Sequence, residues 1–261
     1  MVKMTMQPVP EEYLYDYAGV CWWCGAAADS REHKWKKSEI KAMYGLAGSE
    51  AYPLILVDDT GNSRTIQGPD SDVVKFEKSL CQNCNNAKSQ KFDLAYDRWI
   101  GYLRANYDQI IESRVIDLRD VADAAESDFR LNLARYFAKH IGCRVADKAG
   151  KVPASLIAFL NGNSESSTFA WTELCIGSST LEDSGATRRR LGISRTVADY
   201  SPEERRLSSL KGSLLHGTLQ LIWDINLNPK RQDSGVGILN QEIYQLREVD
   251  DDLYTHRFLI A

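Results

Sequence analysis

Four of the chain's six cysteines fall into two pairs with the same spacing. Cys21 and Cys24 form the first Cys-x-x-Cys pair, with Gly25 directly after it, and Cys81 and Cys84 form the second. Each pair can give two thiolates to one tetrahedral zinc ion, and a glycine suits the tight turn beside such a pair. The spacing therefore predicts a structural four-cysteine zinc site with no coordination position left for catalysis.

Polar residues that could do acid–base or metal chemistry follow each pair. The first pair leads to Glu32 and His33 in a lysine-rich stretch, and the second runs directly into Asn85 and Asn86. Histidine can deprotonate water near neutral pH, whereas carboxylate and amide oxygens suit Mg²⁺ or Mn²⁺ better than zinc. Each residue alone is typical of a solvated surface or of a helix N-cap. Their position beside both cysteine pairs favours a catalytic interpretation.

The order of these residues resembles the HNH (ββα-metal) endonuclease family, in its branch with a four-cysteine zinc site. The resemblance rests on four motifs: Cys-x-x-Cys-Gly at 21–25, Glu-His followed by Lys-Ser at 32–38, Cys-x-x-Cys-Asn-Asn-x-x-Ser at 81–89, and Phe-Asp-x-x-Tyr-Asp-x-Trp at 92–99. These motifs cover roughly a third of the chain.

The resemblance implies a ββα fold around one divalent metal ion, usually Mg²⁺ and alternatively Mn²⁺. It implies that His33 is the general base and that Glu32 is an acidic metal ligand on the first strand. Asn85 would be a catalytic residue and the metal ligand that opens the helix, with Asn86 as the competing choice. Lys88 or Ser89 would lie one turn further along the helix, near the scissile phosphate.

One position departs from the family pattern. Family members carry a central asparagine a few residues before the second cysteine pair, where it orients the base. Residues 74–80 contain no asparagine here. Three alternatives follow for this position. A backbone group orients the base, Asn62 of the hairpin does so, or the active site is weakened.

The elements that must position these residues follow from sequence patterns. Between the cysteine pairs, strands at 53–57 and 63–66 with a turn at 59–62 predict a β-hairpin. A helix is predicted over 85–105, because apolar side chains recur at steps of three and four residues on one face. These are Phe92, Tyr96, Trp99, Ile100 and Leu103.

The sequence predicts an α+β protein of two domains. After a lead-in at 1–20, residues 21–108 form the ββα-metal HNH domain held by the zinc site. Residues 112–261 form an α+β domain with an antiparallel sheet and no motif that assigns a role. We expect helices at 128–145 and 153–160, strands at 169–176, 214–227, 238–249 and 254–260, and a long loop over 177–206. His216 is predicted to be a sheet residue.

The composition is that of a globular protein, with 43% hydrophobic and 26% charged residues. No apolar run approaches the roughly 20 residues that span a bilayer, and the N-terminus lacks the apolar core of a signal peptide. We therefore expect a cytoplasmic protein with reduced thiols and no membrane association. Cys143 and Cys175 are expected to be inert core residues.

The net charge of −4 restricts any nucleic-acid interface to a local patch. Near His33 such a patch is predicted from five basic residues, and Lys88 joins them from the helix. A second basic cluster on the predicted loop either binds nucleic acid or forms a flexible, solvent-exposed segment. The patch comprises Arg31, Lys34, Lys36, Lys37 and Lys41, and the cluster comprises Arg188, Arg189, Arg190, Arg195, Arg205 and Arg206.

These observations predict an endonuclease that hydrolyses phosphodiester bonds in DNA, with His33 activating water beside a divalent metal ion. Phage, restriction and defence systems are settings in which members of the family occur. One alternative is a catalytically weakened zinc module that binds nucleic acid or protein. Another is an enzyme that cuts RNA on the same scaffold. The C-terminal region is a candidate for homodimer formation or for binding a protein partner.

Overall fold

The computed structural model describes residues 10–44, 54–57, 63–66, 68–121, 128–163, 171–177, 191–193, 197–201, 206–216, 219–226 and 242–249. The helices are α1 (Lys37–Tyr44), α2 (Gln90–Ala105), α3 (Tyr107–Ser113), α4 (Phe129–Asp147) and α5 (Ala154–Leu160). The first strands are β1 (Leu54–Val57), β2 (Ser63–Ile66), β3 (Val115–Asp117), β4 (Trp171–Gly177) and β5 (Leu191–Ile193). The others are β6 (Val197–Ser201), β7 (Arg206–His216), β8 (Leu219–Asn226), β9 (Ile243–Gln245) and β10 (Arg247–Val249).

Helix α2 buries the face that its periodicity predicts. Its buried side chains include all five predicted core residues, so the amphipathic pattern is confirmed. The α-helix begins at Gln90 rather than at 85, because Asn83–Ala87 forms a wider π-helical turn that carries Cys84. The predicted hairpin is also confirmed in its strands, since β1 pairs antiparallel with β2. Its turn at 59–62, and with it Asn62, lies outside the described residues.

The largest sheet has six strands, in the order β10-β4-β8-β7-β5, with β6 also paired to β7. Its pairs are antiparallel except for β10 with β4. The single strand predicted over 214–227 is wrong, because β7 and β8 form two paired strands. The region 177–206 was predicted as a loop but contains β5 and β6, whose backbones both pair with β7.

The strand predicted over 238–249 is likewise two short strands in different sheets. β9 pairs antiparallel with β3, whereas β10 joins the large sheet. Leu246 separates them, and its backbone N–H donates to the carbonyl of Arg114. The predicted strand at 254–260 and the arginines at 188–190 lie outside the described residues.

One hydrophobic core joins the two predicted regions. Helix α2 packs along α4, and the rings of Tyr96 and Tyr136 stack between them with centroids 3.8 Å apart. Leucines of β7 and β8 join the same core. Cys143 on α4 is buried in it, as predicted. Within the described part of the chain, no helix is both long and apolar enough to cross a membrane.

Candidate functional site

The four paired cysteines converge. Their sulfur atoms all lie within 4.8 Å of one another, and the sulfurs of Cys24 and Cys81 are 3.6 Å apart. A tetrahedral zinc ion with Zn–S bonds of about 2.3 Å would separate its sulfurs by about 3.8 Å. A disulfide needs about 2.05 Å, so these thiols are not bridged. The structure therefore confirms a four-cysteine cluster close enough to hold a metal ion.

Local backbone geometry builds each half of the cluster. In the first pair Gly25 adopts a φ of 77° and donates its N–H to the carbonyl of Cys21 at 2.8 Å. In the second pair the N–H of Cys84 points to the sulfur of Cys81 at 3.4 Å. The Ala26 backbone lowers the pKa of the Cys24 thiol to about 7, whereas burial raises that of Cys84. A bound cation would hold all four sulfurs as thiolates.

The segment that carries Glu32 and His33 is extended and pairs with the segment leading into the second cysteine pair. Ser30 bridges Leu80, and His33 bridges Lys75, in antiparallel sense. The N–H of Phe76 donates to the carbonyl of Glu32 at 2.9 Å. Helix α2 follows the second segment along the chain. The pairing consists of isolated bridges and forms no continuous ladder among the described residues.

His33 is half-buried beside the turn at Pro69 and Asp70. Burial lowers the pKa of its imidazole, the positive charge of Lys75 lowers it further, and a hydrogen bond with the Pro69 carbonyl opposes both. Its Nε2 atom is buried and has no hydrogen-bond partner among the described residues. The carbonyl can only accept, so Nδ1 carries the proton and Nε2 keeps its lone pair. The Pro69 backbone is thus a contact of His33, and the role of the missing central asparagine stays a prediction.

Glu32 points away from His33, because adjacent residues of an extended segment face opposite sides. Its carboxylate lies 3.1 Å from Nζ of Lys139, which comes from α4. The same ammonium lies 3.2 Å from Asp93 and 3.2 Å from the hydroxyl of Ser89. Burial raises the pKa of Glu32, and the Lys139 charge opposes that rise. The two carboxylates outweigh the burial of Lys139 and raise its pKa, so it stays charged.

Asn85 faces inward and Asn86 is exposed, which favours Asn85 among the two predicted candidates. The amide nitrogen of Asn85 donates to Ser30 at 2.8 Å and to the carbonyl of Arg31 at 3.3 Å. Its amide oxygen is buried and has no hydrogen-bond partner among the described residues. That oxygen is therefore available to a cation or a water molecule.

The predicted basic patch is extensively paired with acids and carbonyls. Lys36 contacts Asp97 at 2.6 Å, and Lys37 pairs with Asp70. Nζ of Lys34 donates to the carbonyl of Val73 at 3.2 Å. Arg31 is paired with Asp72 and Glu77, and Lys41 is exposed. Much of the positive charge of this patch is thus neutralised by acidic partners.

Lys88 lies at the first cysteine pair rather than beside Glu32. Its ammonium is 5.2 Å from the ring centre of Trp23 and 3.4 Å from the amide oxygen of Asn161. The indole N–H of Trp23 donates to the same oxygen at 2.9 Å. Ser89, the other residue predicted near the phosphate, is buried and donates to the Asn85 carbonyl.

The sequence motifs did not point to α4, which contributes two residues to this site. Lys139 and His140 are both almost fully buried, and Nε2 of His140 lies 2.9 Å from the carbonyl of Lys34. The available signal was a lysine and a histidine side by side within an apolar helical stretch. Buried charges need partners, so such a position predicts contact with an acid elsewhere in the chain.

Comparison with known proteins leaves the family open, because no family model, no curated protein and no solved structure matches this chain.

Proposed function

We propose that this chain is a zinc-stabilised nuclease that hydrolyses phosphodiester bonds in DNA, with His33 as the general base. The observation that carries the proposal is the state of this imidazole. A hydrogen bond with the Pro69 backbone acts on its pKa, and its Nε2 has no hydrogen-bond partner among the described residues. Its lowered pKa leaves it neutral near pH 7, which is the form that accepts a proton from water.

In this reaction Nε2 of His33 removes a proton from the attacking water, whose oxygen bonds to phosphorus. The P–O bond to the leaving oxygen breaks, and solvent water gives that oxygen its proton. The Pro69 carbonyl accepts a hydrogen bond from Nδ1–H throughout and stabilises the imidazolium that forms. Lys75 and Lys37 both act on the pKa of His33 through their charges, so they lie close enough to attract a phosphate group. The four-cysteine site stabilises the loops that carry these residues and takes no part in the chemistry.

The resemblance also implies Mg²⁺ or Mn²⁺, which would stabilise the charge on the phosphorane and on the leaving oxygen. The Asn85 amide oxygen fits such an ion, since it is buried and has no hydrogen-bond partner among the described residues. Glu32 does not fit, because the Lys139 ammonium at 3.1 Å already neutralises its carboxylate and would repel a dication. The donor set as a whole therefore does not fit a divalent metal ion.

A second candidate function is a zinc module that binds nucleic acid or protein without cutting. The Lys139–Glu32 pair favours it, because this contact withdraws the carboxylate that the family would use. RNA is a further candidate substrate for the nuclease, since the same base and the same basic residues would act on either backbone.

A plasmid-nicking assay tests the proposal. The zinc-loaded protein is incubated with supercoiled DNA, first without added metal and then with Mg²⁺ or Mn²⁺, beside His33→Ala and His33→Gln. Nicking by the wild type and its loss in both variants is the expected result. Gln90→Ala, which alters an exposed neutral residue at the start of α2, is the matched control and should keep full activity. Nicking in none of these conditions, or equal nicking by His33→Ala, would refute the proposal.

A labelled single-stranded RNA, incubated in parallel, shows whether the nuclease cuts RNA as well as, or instead of, DNA. Binding of DNA in a mobility-shift assay without any cutting of DNA or RNA would support the second candidate function instead.

A further inference from the structure

Lys139 is a buried lysine whose ammonium group is fully engaged by oxygen atoms. Only 1% of its side chain is exposed, and its Nζ lies 3.1 Å from Oε2 of Glu32. Nζ also lies 3.2 Å from the carboxylate of Asp93 in α2 and 3.2 Å from the hydroxyl of Ser89, which directly precedes α2. Two carboxylates and one hydroxyl therefore surround a single positive charge, and its three N–H groups match them one to one.

The packing of α4 fixes this ammonium in place. The neighbouring His140 contacts the carbonyl of Lys34, and Gly142 lies against Trp22. The ring of Tyr136, one turn earlier, lies with its centre 5.8 Å from Nζ. α4 thus contacts the chain both before Glu32, at Trp22, and after it, at Lys34. The lysine cannot turn to solvent without leaving the largely buried Glu32 and the partly buried Asp93 without a counter-charge.

We propose that Lys139 is the resident cation of this site, taking the place of a divalent metal ion between Glu32 and Asp93. Two carboxylates and a hydroxyl are oxygen donors of the kind that Mg²⁺ or Mn²⁺ prefers, but the position is filled by the protein's own charge. Glu32 then acts as a structural anion. Lys139 is a positioning residue, because it holds the segment from which His33 projects to the opposite side.

This inference concerns the site of the proposed nuclease and rests on that proposal for the meaning of Glu32, but its test requires no cutting. Binding of Mn²⁺ to the zinc-loaded full-length protein is measured by the loss of the electron paramagnetic resonance signal of free Mn²⁺. We expect the wild type and Glu32→Gln to bind Mn²⁺ equally weakly. A wild-type site that is lost in Glu32→Gln would overturn the proposal, because the carboxylate would then be a metal ligand despite Lys139.

Replacing Lys139 should allow Mn²⁺ to bind between Glu32 and Asp93. Lys139→Met keeps an unbranched side chain but removes the charge, so we expect Mn²⁺ binding to tighten by at least about tenfold. The gain should disappear in Lys139→Met/Glu32→Gln. Lys148→Met, which removes an exposed lysine just after the end of α4, is the matched control and should bind Mn²⁺ as the wild type does. A folded Lys139→Met protein without any gain would refute the proposal.

Folding itself gives a second readout for the same variant. Without a cation the two carboxylates repel each other, so thermal unfolding of Lys139→Met should shift to higher temperature on addition of Mn²⁺, while that of the wild type should not. Equal shifts in both proteins would contradict the proposal. If His33→Ala nicks DNA as the wild type does, the nuclease proposal fails, and the Mn²⁺ titrations still decide the role of Lys139.

Discussion

The indole ring of Trp22 lies directly on Gly142 of α4. A Cβ atom at this glycine would stand 2.6 Å from Cζ2 and 2.8 Å from Cζ3 of the ring, which is closer than real Cβ atoms approach. Trp22 lies between the two cysteines of the first pair, and its side chain is buried. The contact therefore attaches the four-cysteine cluster to the helix that supplies Lys139.

Gly142→Ala should destabilise the protein, because the ring and the helix must move apart to admit a methyl group. We expect a loss of about 1–3 kcal/mol in the free energy of unfolding, measured by urea denaturation. Gly101→Ala is the control, since a Cβ atom at this position of α2 meets nothing within 4 Å. There the better helix propensity of alanine should add about 0.5–1 kcal/mol. Equal effects at both glycines would contradict the close packing.

Cys81→Ser should abolish zinc binding, because a closed four-thiolate site loses most of its affinity with one ligand. Zinc content per chain, measured by atomic emission, is expected to fall from one to nearly none, and the unfolding temperature should fall with it. Cys143→Ser changes a buried cysteine outside the cluster and should keep its zinc. Zinc retained in Cys81→Ser, or lost in Cys143→Ser, would show that the metal lies elsewhere.

Stability should fall in mild acid because of His140. Burial lowers the pKa of this imidazole to about 3, and the charges of Arg144 and Lys139 act in the same direction. An unfolded chain regains a pKa near 6.5, so between these two values it binds a proton that the native protein does not. The free energy of unfolding should therefore decrease as the pH falls below about 6.5, with a slope of up to roughly 1.4 kcal/mol per pH unit from this residue.

Urea unfolding at several pH values checks this slope. His140→Gln offers an amide N–H to the same Lys34 carbonyl without titrating, so its stability should depend less on pH than that of the wild type. Loss of zinc at low pH affects both proteins and cancels in the difference. The same pH dependence in the two proteins would show that His140 makes no such contribution.

The pH profile of nicking should reflect His33 if the proposed function is correct. Because the pKa of this imidazole is lowered, the rate should rise at lower pH than it would for an unperturbed imidazole, as the neutral base becomes populated. Lys75→Gln removes a charge that lowers this pKa, so the rising limb should move to higher pH. Lys78→Gln removes an exposed lysine from the same segment and should leave the limb in place. A limb that moves to lower pH in Lys75→Gln would exclude His33 as the titrating base.

Local patterns in the sequence predicted the parts of the site that lie close together along the chain. The spacing of Cys21 with Cys24, and of Cys81 with Cys84, was sufficient for the metal cluster, because each pair forms its own turn. The periodicity of α2 was sufficient for its buried face, since a helix repeats along its own length. In both cases the forces that fix the structure act between neighbours in sequence.

The remaining features depend on contacts between distant residues. The pairing of Glu32 with Lys139 could not be predicted from either neighbourhood, because it requires α4 to pack over the extended segment. β5 and β6 are similar, because each of these short strands gains its hydrogen-bond partners from β7. The wider turn at Asn83–Ala87 also departs from the predicted helix, because the cysteine cluster, and not helix propensity, sets its geometry.

The contact of Trp22 with Gly142 has a consequence for any attempt to transplant this domain. A fragment that ended at residue 108 would contain every residue of the recognisable motif, but it would lack α4. The Trp22 ring would then be uncovered and the Glu32 carboxylate would have no counter-charge. The smallest fragment that keeps both contacts therefore extends at least to Asp147, the end of α4. The sequence motif and the structural unit thus have different boundaries.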